Sequence, residues 1–128
     1  MRPLVFIALL FAGCATEPSA TVNGEDRGFI KDNYDKAFIV AVDGHYLTQP
    51  QMTVSVPAGK HFLVVRAVRM RGTYPRPHEA DVPMYATFEA HRVYNIDSLE
   101  FSDRMGAGLY TDDHSTEVTE VHVPYQAP

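Results

Sequence analysis

The sequence predicts an all-β fold, a single antiparallel β-sandwich of about seven short strands. Three observations predict it. Apolar and β-branched residues alternate with polar ones at period two, turn sequences recur about every ten residues, and no window of about 12 residues carries an amphipathic helical stripe. A chain of 128 residues with 45% hydrophobic residues can also bury one core. These features favour a sandwich or barrel over alternating β-α-β units.

The first predicted strands show the pattern most clearly. The segment 37–42 is apolar and ends at Asp43-Gly44, a sequence typical of hairpin turns. Met52, Val54 and Val56 share one face of the next strand, and 57–60 (PAGK) predicts a second turn. All predicted strands together are 37–42, 52–56, 61–70, 85–90, 92–97, 109–110 and 117–123.

Two segments are predicted to interrupt the strands. Residues 71–83 contain three prolines and read as a loop. Gly106-Ala107-Gly108 lacks the strand-to-helix context of a phosphate-binding loop, which favours a turn or a β-bulge.

Composition and charge exclude several classes of protein. The formal net charge of −5 gives no chain-wide basic footprint, so nucleic acid is not expected as a partner. The chain has one cysteine, so no internal disulfide can form. The serines have no histidine or aspartate at a recognisable spacing, no G-x-S-x-G is present, and no catalytic residue or cofactor is assigned.

The N-terminus has the layout of an export signal. Met1-Arg2-Pro3 is followed by the uncharged apolar run 4–12, which is too short to span a bilayer as a mature helix. The stretch Leu10-Phe-Ala-Gly-Cys14 resembles the lipobox of bacterial lipoprotein signal peptides. The resemblance implies that Cys14 is the lipid attachment site. The alternative is a plain signal peptide cut nearby, with an incidental cysteine.

The resemblance also implies a location and a domain division. Ala15 follows the cysteine, and in such lipoproteins a residue other than aspartate there usually allows transfer to the outer membrane, facing the periplasm. We divide the chain into a signal peptide (1–13), a lipid-anchored tether and leading segment (14–36) and a β-sandwich domain (37–124). Within the second part, residues 15–24 are small and polar and predict a flexible tether.

A further resemblance concerns the first strands of the domain. The stretches 39–44 (IVAVDG), 54–61 (VSVPAGKH) and 63–65 (LVV) resemble PEGA-type β-sandwich domains of envelope proteins. The resemblance implies an envelope or binding role and transfers no catalytic residue. In this interpretation Asp43-Gly44 and Ala58-Gly59 are the two turns of a three-strand meander.

Six histidines invite a metal hypothesis. The densest groups are His78-Glu79-x-Asp81 and Asp112-Asp113-His114, both predicted to lie in loops where two or three ligands can meet a cation. The alternative is a pair of solvated polar loops, and no metal ligand is assigned. A small metal-dependent hydrolase that uses these histidine-rich loops is the alternative function.

A basic cluster in the middle of the chain suggests an anion-binding surface. Arg66, Arg69, Arg71 and Arg76, with Tyr74, are predicted to form a basic, aromatic lip at one end of the sandwich. Arg71 and Arg76 are the predicted contacts to an anionic ligand. The alternatives are pairing with the acidic C-terminal half, or protection of an edge strand. The predicted function is a non-enzymatic envelope binding or accessory module, with an envelope protein or polymer as partner.

Overall fold

Ten β-strands and no helix occupy residues 18–28 and 32–124, which are the residues that the computed structural model describes. The strands form two five-stranded sheets that pack face to face, so the predicted all-β sandwich is confirmed. The strands are β1 (Ser19–Asn23), β2 (Glu25–Gly28), β3 (Tyr34–Val42), β4 (His45–Gln51), β5 (Thr53–Pro57), β6 (Gly59–Met70), β7 (His78–Phe88), β8 (Val93–Glu100), β9 (Arg104–Thr111) and β10 (Glu117–Pro124).

The two sheets differ in how the chain builds them. The first sheet has the order β10-β9-β8-β1-β5, and the second has the order β2-β3-β6-β7 with β4 also paired to β3. All pairs are antiparallel except β1 with β8, which run parallel. The chain therefore crosses between sheets several times, and the core lies between the two inner faces.

The core consists of the apolar residues that face inward at period two. Along β7, for example, Ala80, Val82 and Met84 are buried while the residues between them are exposed. Phe88 and Tyr94 meet edge to face across the sheets, with ring centroids 5.0 Å apart. Other large buried side chains are Val22, Ile39, Val56, Leu63, Val65, Ile96, Met105 and Leu109. Contact between these faces supplies the main hydrophobic stabilisation.

The Asp43-Gly44 turn is present as predicted. Val42 pairs directly with His45, and both turn residues have positive φ, 52° for Asp43 and 84° for Gly44. This is the type I′ geometry that fits the right-handed twist of two strands. The turn leads into β4, which the pattern did not reveal because its sequence HYLTQPQ is polar and mostly exposed.

The predicted three-strand meander is wrong. After β4 the chain leaves the second sheet, and β5 pairs with β1 in the first sheet. β6 then returns to the second sheet, where it pairs with β3. Ala58-Gly59 therefore carries the chain from one sheet to the other, and Gly59 accommodates this change with a φ of 121°. The turn residues predicted a change of direction correctly, but they do not specify which sheet receives the next strand.

The flexible tether predicted for 15–24 is corrected at its C-terminal part. Ser19–Asn23 is strand β1, and it lies inside the first sheet between β5 and β8. Ala20 and Val22 are buried in the core at period two, a signal that the small, polar composition concealed. With β2 also in the second sheet, the sandwich begins well before residue 37. Residues 15–17 and Cys14 lie outside the described residues.

The loop predicted for 71–83 is shorter than expected. It covers 71–77, because β7 already begins at His78. Pro83 lies within β7, opposite Val64. A proline is tolerated there because β7 has a hydrogen-bonded neighbour on one side only, so the missing N–H breaks no second ladder.

Gly106-Ala107-Gly108 forms neither a turn nor a bulge. The three residues lie in the interior of β9 and are buried. A Cβ atom on Gly106 would stand 2.3 Å from the carbonyl oxygen of Val121, so β10 can approach this closely only because the side chain is absent.

A glycine substitution tests the path of the chain from β1 to β2. A Cβ on Gly24 would stand 2.0 Å from the backbone oxygen of Ala37, so Gly24→Ala forces the backbone to move. We expect it to lower the free energy of unfolding by about 2 kcal/mol. Gly28→Ala is the matched control, since no atom lies within 4 Å of its added Cβ. Urea unfolding measures both; equal stability of the two variants would contradict the packing of β1 and β2 described here.

Candidate functional site

A shallow, open groove of about 410 Å³ lies at the end of the sandwich where β6 and β8 finish. The loop 71–77 forms one wall, and the connection between β8 and β9 forms the other. The residues that line it are Arg69, Arg71, Tyr74, His78, Glu100, Phe101 and Ser102. Two arginines, three aromatic rings and a carboxylate thus share one small surface.

A buried carboxylate holds the two arginines. Asp35 on β3 is 3% exposed and stands directly opposite Arg69 on β6. Nε of Arg69 donates to Oδ1 of Asp35 and Nη2 donates to Oδ2, both at 2.9 Å. Arg71 adds a third bond, from Nη1 to Oδ1, also at 2.9 Å. Bidentate pairing fixes both the position and the plane of the Arg69 guanidinium group.

The same contacts determine the ionisation of Asp35. The hydrogen bond from Arg69 lowers the pKa of this carboxyl most, and the bond from Arg71 lowers it further. Burial acts in the opposite direction, but the net result is a pKa lowered to about 2. Asp35 is therefore charged at every physiological pH and continuously orients the two arginines.

Arg71 leaves one edge of its guanidinium group for the groove. Its three described bonds all start from Nη1 and reach Asp35, the carbonyl oxygen of Met70 at 2.8 Å and that of Tyr34 at 3.4 Å. Within residues 18–28 and 32–124, no hydrogen bond engages Nε or Nη2. These two donors form the parallel pair that matches the two oxygens of a carboxylate or a phosphodiester.

In the other half of the groove, two stacked aromatic rings both contact the carboxylate of Glu100. The rings of Tyr74 and His78 stack with centroids 3.9 Å apart and an angle of 14° between their planes. The Tyr74 hydroxyl donates to both oxygens of Glu100 at 3.1 Å, and Nδ1 of His78 lies 2.7 Å from Oε2. Desolvation, followed by the hydrogen bond to Glu100 and the charge of that carboxylate, raises the pKa of Tyr74, so its hydroxyl stays protonated as a donor.

The structure separates the four predicted arginines. Arg71, a predicted ligand contact, lines the groove. Arg69, for which the sequence predicts no ligand contact, also lines it. Arg66 instead pairs with Asp81 through bonds of 2.8 and 3.2 Å. Arg76 is exposed in the 71–77 loop and is not among the residues that line the groove. The four arginines therefore do not form a single lip.

The alternative that the arginines form ion pairs with carboxylates is confirmed for three of them, but the acidic C-terminal residues are not their partners. Arg66, Arg69 and Arg71 all have carboxylate partners, but these are Asp35 and Asp81 rather than the acidic C-terminal residues. Both partners face arginines across a strand pair. The register that brings them together depends on which strands are neighbours, and local sequence patterns do not contain that information.

The histidine-rich segments do not converge on a metal site within the described part of the chain. His78 contacts Glu100, and Asp81 binds Arg66, so the first group is divided between two interactions. His114 lies 3.3 Å from Asp97, while Asp113 accepts bonds from Ser115 and Thr111 within its own turn. Among residues 18–28 and 32–124, no group of three His, Cys, Asp or Glu side chains could hold a metal ion.

A histidine and a carboxylate also pair at the opposite end of the sandwich. Nδ1 of His61 lies 2.6 Å from Asp43, which also accepts the Phe62 backbone N–H at 2.9 Å. These contacts, the Phe62 bond first, lower the pKa of Asp43. Nε2 of His61 is buried and has no hydrogen-bond partner among the described residues. The pair holds the hairpin turn against the start of β6.

Comparison with known proteins gives no assignment: no protein-family model, curated protein or solved structure matches the chain. In the described residues no helix has the length and apolar character needed to cross a membrane.

The Asp35 network predicts how stability depends on pH. The folded-state pKa of about 2 lies below the ordinary value of 3.8, so at acid pH the unfolded state binds more protons. The contribution of Asp35 is complete above about pH 4 and is lost as the pH falls towards 2. It amounts to about 2 kcal/mol.

Asp35→Asn tests this account. Since two arginines then lose a buried anion, we expect the free energy of unfolding to fall by about 3 kcal/mol at pH 7, and less at pH 2.5. Asp26→Asn is the control, because Asp26 is largely exposed and lies 3.8 Å from Lys36; its effect should stay within about 0.5 kcal/mol. Urea titrations at both pH values provide the comparison, and a pH-independent loss in Asp35→Asn would refute the linkage.

Proposed function

We propose that this protein is a lipid-anchored, non-enzymatic module of the bacterial cell envelope that binds a monoanionic group in the groove. The observation that carries the proposal is the Asp35 network, in which one buried carboxylate holds Arg69 and Arg71 at the groove wall. A guanidinium group that is already fixed loses little side-chain entropy when it binds an anion. Such preorganisation favours a binding site over a purely structural ion pair.

The charges in the groove disfavour a ligand with two negative charges. The charges of the two arginines are balanced by Asp35 and Glu100, so the groove has no surplus of positive charge to neutralise a dianion. A phosphate monoester would bring close to two negative charges towards Glu100. A carboxylate or a phosphodiester has one charge and two oxygens that match Nε and Nη2 of Arg71. Tyr74 offers an aromatic ring beside that position.

The proposed envelope location depends on the N-terminal sequence. The lipobox-like stretch Leu10–Cys14 and the solitary cysteine support a thioether-linked lipid on Cys14. Two or three acyl chains together anchor a protein stably, whereas one holds it only reversibly. Ala15 supports transfer to the outer membrane, with the sandwich on the periplasmic side. The partner is then an envelope protein or polymer that carries the anionic group.

Metabolic labelling with a fatty acid tests the anchor. Wild type should incorporate the label, and Cys14→Ser should lose essentially all of it because the thiol that carries the lipid is absent. Ser19→Cys in the Cys14→Ser background is a useful control, since a misplaced thiol should not restore labelling. Equal labelling of wild type and Cys14→Ser would contradict the lipoprotein proposal.

Arginine variants test the groove. The probe is a fluorescent polyglutamate, and fluorescence anisotropy with the full-length protein measures its Kd. Arg71→Ala should raise Kd about tenfold or more, since it removes a charged bidentate donor. Arg71→Lys keeps the positive charge but lacks the paired donors, so its Kd should lie between that of wild type and that of Arg71→Ala. Arg76→Ala is the matched control and should bind like wild type.

Far-UV circular dichroism and urea unfolding of each variant separate a loss of binding from a loss of fold. If folded Arg71→Ala and Arg76→Ala bound polyglutamate with the same Kd as wild type, the groove would not be the anion site.

A further inference from the structure

The position of the groove relative to the proposed anchor identifies the source of the ligand. We infer that the groove faces away from the anchoring membrane and takes its anion from a carboxylate-bearing envelope polymer, not from the phosphodiester headgroups of that membrane. This inference rests on the proposed lipid at Cys14, and it goes further by naming the class of partner.

The described chain begins at one identifiable end of the sandwich. The carbonyl oxygen of Pro18 accepts the N–H of Ala58 at 3.1 Å, and that of Ser19 accepts the N–H of His91 at 2.7 Å. The turn after β5 and the turn before β8 therefore lie beside the start of β1. We call this end, defined by Pro18, Ala58 and His91, the base of the sandwich.

The groove lies at the opposite end from the base. β8 runs parallel to β1, so it also starts at the base, at Val93, and ends at Glu100 beside the groove. β6 begins at Gly59, directly after Ala58, and ends at Met70 between the two groove arginines. The 12 residues of β6 span about 35 to 40 Å and the eight residues of β8 about 25 Å, so the groove lies about 25 to 40 Å from the base.

The chain between the proposed lipid and the base is too short to reverse this orientation. Three residues separate Cys14 from Pro18, and the four fully extended Cα-to-Cα steps between them reach about 14 Å. Inverting the sandwich so that the groove meets the bilayer needs a reach comparable to its length of about 25 to 40 Å. A sandwich that stands on its base therefore holds Arg71 away from the headgroups around the anchor.

The form of the groove favours a segment of a polymer over a small enclosed ligand. The groove is open, and its polar and aromatic residues line a surface and not a cavity. One carboxylate of a chain can pair with the Nε and Nη2 donors of Arg71 while neighbouring parts of the chain lie against Tyr74. A polymer that occupies the space beyond the membrane surface can reach this position.

The orientation is measured by fluorescence quenching. The full-length lipidated protein is reconstituted in phosphatidylcholine vesicles that contain a nitroxide-labelled headgroup lipid. Ala58→Cys and Asp103→Cys carry the fluorophore, since both positions are exposed, one at the base and one beside the groove. We expect several-fold stronger quenching at position 58 than at position 103.

Equal quenching, or stronger quenching at position 103, overturns the orientation and leaves the anchor intact. Protein that does not stay with the vesicles overturns the anchor, and this inference with it.

The source of the ligand is tested on the same vesicles with polyglutamate as the probe. At about 0.15 M salt, charges more than a Debye length of about 8 Å away are screened, so the bilayer charge does not act on a groove that is distant. Replacing a third of the phosphatidylcholine by phosphatidylglycerol should leave the Kd for polyglutamate unchanged. A severalfold rise in Kd, abolished in Arg71→Lys, would show that headgroup phosphodiesters compete for the groove and would overturn the inference.

Discussion

The first sheet depends on the insertion of one short strand. Among the strands of residues 18–28 and 32–124, β1 alone pairs with β5, and it also pairs with β8, so it joins the β5 edge to the rest of that sheet. Its side chains Ala20 and Val22 fill the core at the same time. The strand therefore fixes both the sheet order and the point where the chain enters the sandwich, and the position of the groove relative to the N-terminus follows from that.

The groove depends in turn on a second interaction, between Asp35 and two arginines. Asp35 is buried and close to the end of the sandwich, where its charge is compensated only because Arg69 lies across the strand pair and Arg71 turns back over it. A buried carboxylate without such partners would favour its neutral form. The ion pair is therefore part of the fold and of the proposed site, and the two roles cannot be changed independently at Asp35, although Arg71 can be changed with less effect on the core.

The fold class could be predicted from the sequence because period-two burial is a local property. Val54 and Val56, or Ala86 and Phe88, show their inward face without knowledge of any partner strand. The Asp43-Gly44 hairpin was predictable for the same reason, since positive φ at two successive residues demands that chemistry. β4 was missed because its exposed residues have no apolar alternation, and β1 was missed because alanine and threonine resemble linker composition.

The candidate site was only partly predictable, because it depends on contacts between distant segments. Arg71 was selected for its neighbours in sequence, whereas Asp35 and Glu100, which complete the groove, lie 36 and 29 residues away along the chain. Arg76 lies close to the other arginines in the sequence, but it does not line the groove. Local charge patterns identify the residue type that binds an anion, and the strand register determines which of those residues has a carboxylate to hold it.

The parallel pairing of β1 with β8 has a consequence for how the chain is completed. Thr21 has its partner Val93 about 70 residues later, so the first strand to emerge stays without one neighbour until most of the chain is available. During synthesis or export its backbone edge is open to pairing with other chains. A truncated chain that ends before β8 keeps that edge permanently, and proteolytic surveillance of incomplete copies would have an exposed strand to recognise.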